Sequence, residues 1–286
     1  MTEKIFGIDA SLYQKRLNFK TLWDSGVRFV ILKCSSGSGI DPLFKQHMGE
    51  AEAAPDMVIG AYHWADPTVN DVSQAKMALD VVNYYPRINF ICADAEQWWA
   101  DWVMWGKMLR NECRPEDVPK LTGQRMSDNA KNILEYWSKN TSIKPFLYTA
   151  KWYADYYAPL MSTWINQYPL WVATYPTVGR MPLTWNQIIE TMPPPGTTPY
   201  MPRGSTNWTI WQWTDRIKAP GVYADVKETI ISAVDGNVFN GNKVQFEQMF
   251  KLEHTPTLDE RVTKLEDLAV EHGWVFSTET LELINS

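Results

Sequence analysis

The stretch Ile88-Asn89-Phe90-Ile91-Cys92-Ala93-Asp94-Ala95-Glu96 is an apolar run that ends in two acids one residue apart. Its composition reads as a buried β-strand. Side chains alternate faces along a strand, so Asp94 and Glu96 should project together from its end. Two like charges held side by side raise the pKa of at least one of them.

Outward from this run, similar segments recur. Strands are expected at Lys4–Asp9, Arg28–Cys34, Met57–His63, Ile88–Asp94, Pro145–Thr149, Leu170–Thr174, Thr209–Trp213 and Ala233–Val238. Helical patterns fall between them, near Phe19–Ser25, Pro42–Ala54, Val72–Tyr84, Gly123–Lys139 and Trp152–Tyr157. Alternating strands and helices imply an α/β fold with a parallel sheet. Eight strands with crossovers suggest a TIM-like (β/α) barrel, irregular because its last strands have short connections. Two long segments interrupt the alternation, Gln97–Thr122 and Val178–Asn207. Trp98, Trp102 and Trp105 of the first have helical spacing and should share a face. The second carries Pro193-Pro194-Pro195-Gly196, which forbids regular helix or central strand there. Both are expected as surface loops or caps, either decorating the barrel or shaping a groove at its mouth.

The chain has 286 residues, 45% hydrophobic, with 15 Trp and a net charge of -6. This length accommodates one large domain and an appendage. The expected division is a barrel over residues 1–250, a linker over 251–257 and a short helical tail over 258–286. The tail region from residue 251 holds three basic and eight acidic residues, a net -5, which leaves the body near neutral at -1. A nearly neutral body without a basic stripe argues against nucleic-acid binding. Leu258, Val262, Leu265, Ala269 and His272 form a brief heptad seam, and Gly273 would stop the helix. A helix this short is marginal alone, so it should dock on a second copy, a partner or its own barrel, with self-association through residues 258–276 the leading expectation. Three cysteines without CxxC spacing and four scattered histidines suggest neither a disulfide framework nor a metal site, and no cofactor is expected. The sequence opens almost at once on a strand, with no pattern of a signal peptide or membrane span. Cytoplasmic synthesis is therefore expected.

Four acids lie at or near strand ends: Asp9, Asp94, Glu96 and Asp235. Each has an ordinary structural reading. Asp9 could cap a turn, Asp235-Gly236 has hairpin composition, and Asp94 could be ion-paired. Converging at one barrel mouth, they would instead supply what glycosidic cleavage needs, a proton donor beside a carboxylate.

The succession of motifs resembles the family 25 glycoside hydrolases, the lysozymes (muramidases) common among phage endolysins and bacterial autolysins. It runs in order through Gly7-Ile8-Asp9-Ala10-Ser11, Gly26-Val27-Arg28-Phe29-Val30-Ile31-Leu32-Lys33, Gly60-Ala61-Tyr62-His63 and Asp94-Ala95-Glu96. It continues through Leu147-Tyr148-Thr149, Leu170-Trp171-Val172-Ala173, Trp211-Gln212-Trp213 and Val234-Asp235-Gly236-Asn237. The resemblance covers most of residues 4–240. It implies an irregular barrel that cuts the β-1,4 bond between N-acetylmuramic acid and N-acetylglucosamine in peptidoglycan. Glu96 matches the general acid and Asp94 its partner, with Asp9 and Asp235 tuning charge. A substrate-assisted route through the acetamido group is favoured over direct attack by a carboxylate. Tyr62, Tyr148 and Trp211 are expected sugar contacts. His63 and Lys33 are expected either as hydrogen-bonding wall residues or as satisfied core residues. Such an enzyme would reach the wall after holin-dependent release or as part of a virion. A glycan-binding module on the same barrel and a chitinase-like glycosidase are the alternatives, the latter without the DxxDxDxE string.

Overall fold

The computed structural model describes residues 4–176, 184–194 and 196–252. The expected heptad tail, residues 253–257 of the linker and residues 177–183 lie outside them. The chain divides into one compact unit, Met1–Phe246, and a second, Glu247–Ser286, of which residues 247–252 are described.

In chain order the strands are β1 (Phe6–Ala10), β2 (Arg16–Leu17), β3 (Val27–Ser36), β4 (Gly39–Ile40), β5 (Val58–Trp64), β6 (Ile88–Asp94), β7 (Lys144–Ala150), β8 (Leu170–Ala173), β9 (Ile210–Ile217), β10 (Val222–Tyr223) and β11 (Val234–Phe239). The helices are α1 (Phe19–Asp24), α2 (Phe44–Glu50), α3 (Asp71–Asn83), α4 (Trp102–Leu109), α5 (Gly123–Asn140), α6 (Trp185–Thr191) and α7 (Lys243–Phe250). All eight expected strands are present, each within a few residues of its expected bounds.

The eight close into a barrel in the order β1-β11-β9-β8-β7-β6-β5-β3, with β3 pairing back onto β1. Neighbours from β1 through β3, β5, β6, β7, β8 and β9 are parallel. β11 runs antiparallel to both β9 and β1, so the sheet is mixed rather than parallel throughout. No helix intervenes between β9 and β11 to carry the chain back to the starting end. A parallel pairing needs such a crossover, so the strand returns in the opposite sense. Its first residues therefore lie at the end where the other strands finish.

Parity along the strands separates two cores. Ile8, Val30, Leu32, Ile59, Ala61, Ile91, Ala93, Leu147, Val172, Trp211 and Trp213 belong to the cluster that the helices cover. The alternate residues face the barrel axis, where Phe90 and Phe146 meet at 4.5 Å between ring centroids. Phe246 closes against Phe29 and Phe239, at 6.0 and 5.2 Å. In the outer layer, α3 is capped by Asn70 and α5 by Thr122. These two helices are held together by the Trp137 indole N–H donating to Ala75 O (2.8 Å) and by Arg125 on Asp71 (2.7 Å).

The Phe90 ring fills space that a side chain at Gly60 would occupy. A Cβ there would stand 2.3 Å from Phe90 Cζ. Gly60→Ala should cost about 2 kcal/mol through overpacking, read by urea unfolding. Gly49→Ala is the control: it sits exposed in α2 with nothing within 4 Å, and the change should be neutral or mildly stabilising. Equal stability of the two variants would show that the barrel interior is not packed in this way.

The insertions differ from expectation in detail. α4 starts only at Trp102, with Asp101 as N-cap, so Trp98 precedes the helix. Its ring still meets Trp105 edge-on at 5.5 Å. Ahead of the prolines, Thr184 and Gln187 form a capping box that starts α6, a short helix in a segment expected to have none. Among the described residues no helix is long and apolar enough to cross a membrane.

Candidate active site

The antiparallel register sets Asp9 directly opposite Asp235. Cross-strand partners share a face, so both carboxyls enter the barrel mouth side by side. They share a hydrogen bond. Asp235 is the protonated member: burial and the charge of Asp9 push its pKa up to about 9. Burial also raises Asp9, opposed by hydrogen bonds from Asn237 and Gln212. Asn237 Nδ2 donates to Asp9 Oδ2 at 2.7 Å and Gln212 Nε2 to the same oxygen at 3.0 Å.

Those amides are held in turn. Gln212 Oε1 accepts from the hydroxyls of Tyr148 (2.9 Å) and Tyr175 (2.8 Å). Asn237 Oδ1 accepts from the Trp171 indole N–H at 2.8 Å. Three aromatic side chains thus fix two amides, and the two amides orient Asp9.

Asp94 ends β6 and is 4% exposed. Its neighbour Ala95 packs in the outer core, its N–H on Tyr148 O and its carbonyl on the Thr149 hydroxyl. That anchoring extends the strand by one residue and keeps Glu96 on the side of Asp94. Burial first, then the charge of Glu96, holds the Asp94 carboxyl well above the usual carboxylate range. Its Oδ1 is buried without a hydrogen-bond partner. A native interior rarely leaves such an atom unpaired, and the missing donor disfavours the charged form of Asp94.

Glu96 reaches solvent in part, although protein surrounds it on most sides. Burial and the charge of Asp9 raise its pKa to about 7, opposed by the Lys33 cation. It makes no hydrogen bond among the described residues. Lys33 Nζ lies over the rings of Trp64 (4.9 Å) and Tyr62 (5.8 Å). A cleft of about 220 Å³ opens on the Asp9–Asp235 side, lined also by Tyr13, Tyr62 and Asp215. A larger, shallow groove of about 540 Å³ runs along α3; its Lys76 and Asp80 pair with each other, and it carries no carboxyl cluster.

The structure brings Asp9, Asp94, Glu96, Asp235, Lys33, Tyr62 and Tyr148 together at the mouth. Tyr148 is 7% exposed with its hydroxyl committed to Gln212, so it sits beneath the site as a support. Trp211, an expected contact, and His63 face the other way. Trp211 is in the outer core, 1% exposed, its indole N–H donating to Thr174 O at 2.8 Å. His63 takes the satisfied core role rather than a wall position. Its Nε2 bonds Gln74 Oε1 (2.9 Å), its Nδ1 bonds Ser35 Oγ (2.8 Å), and burial lowers its pKa to about 4. Gln212, Asn237, Trp171 and Tyr175 are additional members of the site. The first two carry a sequence signal, as polar residues inside apolar strands at the inward parity.

An α/β barrel that gathers four carboxyls where its parallel strands end, and raises the pKa of each by burial, is built as a carboxylate glycosidase. The pattern of the family described as Glycosyl hydrolases family 25 matches residues 8–222, and the chain belongs to that family. It is a glycoside hydrolase. The protein YegX of Escherichia coli K12, itself uncharacterised, is 26% identical over 247 residues, covering 83% of this chain and 70% of that protein. Among solved structures, a bacterial lysozyme from Streptomyces coelicolor superposes with a TM-score of 0.64 at 20% identity, over 87% of this chain and 98% of that one. A family 25 glycosyl hydrolase from Bacillus anthracis gives 0.62 at 20% identity, over 85% and 92%.

Proposed function

We propose that this protein is a muramidase, cleaving the β-1,4 bond between N-acetylmuramic acid and N-acetylglucosamine in peptidoglycan. The observation that carries the reading is the Glu96 carboxyl, poised at about 7, beside an Asp94 whose buried Oδ1 lacks a donor. Protonated Glu96 gives its proton to the glycosidic oxygen as the C1–O bond breaks. The acetamido carbonyl oxygen on the same sugar bonds to C1, forming a cyclic oxazolinium and releasing the leaving sugar as an alcohol. Asp94 accepts from the acetamido N–H, and this contact favours the ionised form of Asp94 as positive charge develops. Glu96, now a carboxylate, takes a proton from water; the water oxygen bonds to C1 and the ring opens, restoring both groups. Asp9 and Asp235 keep one negative charge beside the reaction, fixed in place by Gln212 and Asn237. Access to the wall follows release across the membrane or delivery in a virion.

Mass spectrometry of digested, purified peptidoglycan tests the bond. Fragments with reducing-end muramic acid are expected. Reducing-end glucosamine would assign the other linkage. Binding to peptidoglycan without new reducing ends would instead make the barrel a glycan-binding module.

A further inference from the structure

The insertion after Glu96 carries a second feature that the reaction does not use. Trp102, the first residue of α4, is 46% exposed, yet it is held in one orientation. Its indole N–H donates to Asp66 Oδ2 at 3.0 Å. Asp66 Oδ1 accepts from Gln97 Nε2 (3.0 Å), and Gln97 Oε1 accepts from the Trp64 indole N–H (3.1 Å). One polar chain therefore locks two indoles, Trp64 and Trp102, through the residue bonded to Glu96.

Beneath them lies Trp99, 4% exposed, tilted against Trp64 at 6.1 Å and edge-on to Trp102 at 5.2 Å. Trp105 stacks flat on Trp99 at 3.7 Å, with 1° between planes. The rings form a step that begins at Trp64, beside Lys33 at the acid site, and rises to the exposed face of Trp102. Leaving a large aromatic face in water forgoes burial free energy that a helix packed on that side would recover. A rigid amphipathic ring with its polar edge already satisfied presents only its flat face, which matches the apolar face of a pyranose.

We propose that Trp102 is a saccharide-stacking platform for a sugar beyond those at the cleaved bond, which makes the enzyme selective for long glycan strands over short ones. The proposal rests on the muramidase reading, and its test separates the two. Rates are measured on a peptidoglycan tetrasaccharide and on an octasaccharide. For Trp102→Ala, KM for the octasaccharide should rise about tenfold with kcat unchanged, the signature of lost binding shared by ground and transition states. The tetrasaccharide parameters should not move. Trp102→Phe, which keeps a flat face, should recover most of the loss.

A merely structural role would lower kcat on both substrates through Gln97 and leave Phe no better than Ala. Unchanged octasaccharide kinetics in Trp102→Ala would overturn the platform while leaving the muramidase intact. If the wild-type protein cleaves neither glycan, the muramidase reading fails, and octasaccharide titration by calorimetry decides the platform. Weaker binding by Trp102→Ala supports it, and equal or absent binding overturns it.

Discussion

Glu96→Gln should lower peptidoglycan turnover by about 10³-fold while leaving the fold intact. Gln has the shape of the acid but no proton that it can give to a leaving oxygen. In the wild-type protein, burial and the charge of Asp9 hold the Glu96 pKa at about 7, so the proton is present at neutrality and lost above it. The kcat/KM profile should therefore fall with an alkaline limb near pH 7, about tenfold per pH unit beyond it. The residual activity of Glu96→Gln should lack that limb, because the titrating group is gone. The variant should melt no lower than wild type at pH 8, where the wild-type carboxylate is charged in a poorly solvated place. Reducing-end release and thermal unfolding at several pH values measure both effects. Full turnover in the variant, or an alkaline limb unmoved by it, would take the general-acid role away from Glu96.

The strands were legible because each is an apolar run bounded by turn or helix signals, and the mouth acids because they end such runs. Strand direction was less legible. It depends on how the chain returns between β9 and β11, which periodicity does not report. Yet the reversal is what brings Asp235 opposite Asp9. Parity explains why Trp211 and His63 face the helices. Adjacent residues on a strand face opposite ways, so with Tyr62 inward His63 must enter the helix layer, and with Gln212 inward Trp211 must leave the mouth. The same parity marks Gln212 and Asn237, which cannot be read as surface polar residues once their strands are central. Tyr175 carried no such signal. It lies beyond the end of β8, and only the three-dimensional path of that loop brings its hydroxyl to Gln212. The step from Trp64 to Trp102 was partly visible as a tryptophan-rich insertion, but spacing alone put Trp98 in the helix and did not reveal the Asp66–Gln97 lock.

Asp235→Asn should stabilise the protein at alkaline pH and not at acid pH. The folded-state pKa of Asp235 is about 9, raised from 3.8 by burial and by the charge of Asp9. A carboxyl raised in this way binds its proton more tightly folded than unfolded. Its favourable contribution is complete below the unfolded pKa near 4 and is lost as pH rises through about 9. Asn has nearly the same shape, and its Nδ2 can donate to Asp9 as the protonated carboxyl does, but it does not titrate. The variant should thus match wild type near pH 4 and exceed it by about 3 kcal/mol near pH 9, after discounting the full shift for partial exposure at the mouth. For a domain of this size that is a rise of about 6–12 °C in Tm. Asp9, Asp94 and Glu96 titrate in both proteins, so the wild-type-minus-variant difference reports the group at 235 together with its coupling to Asp9 and Glu96. Catalysis near neutrality should fall only modestly, since Asp235 is already neutral there and Asp9 keeps its charge. A stability difference that stays constant from pH 4 to pH 9 would mean that Asp235 is ionised throughout. The proton of the pair would then sit on Asp9, or the two charges would be screened from each other.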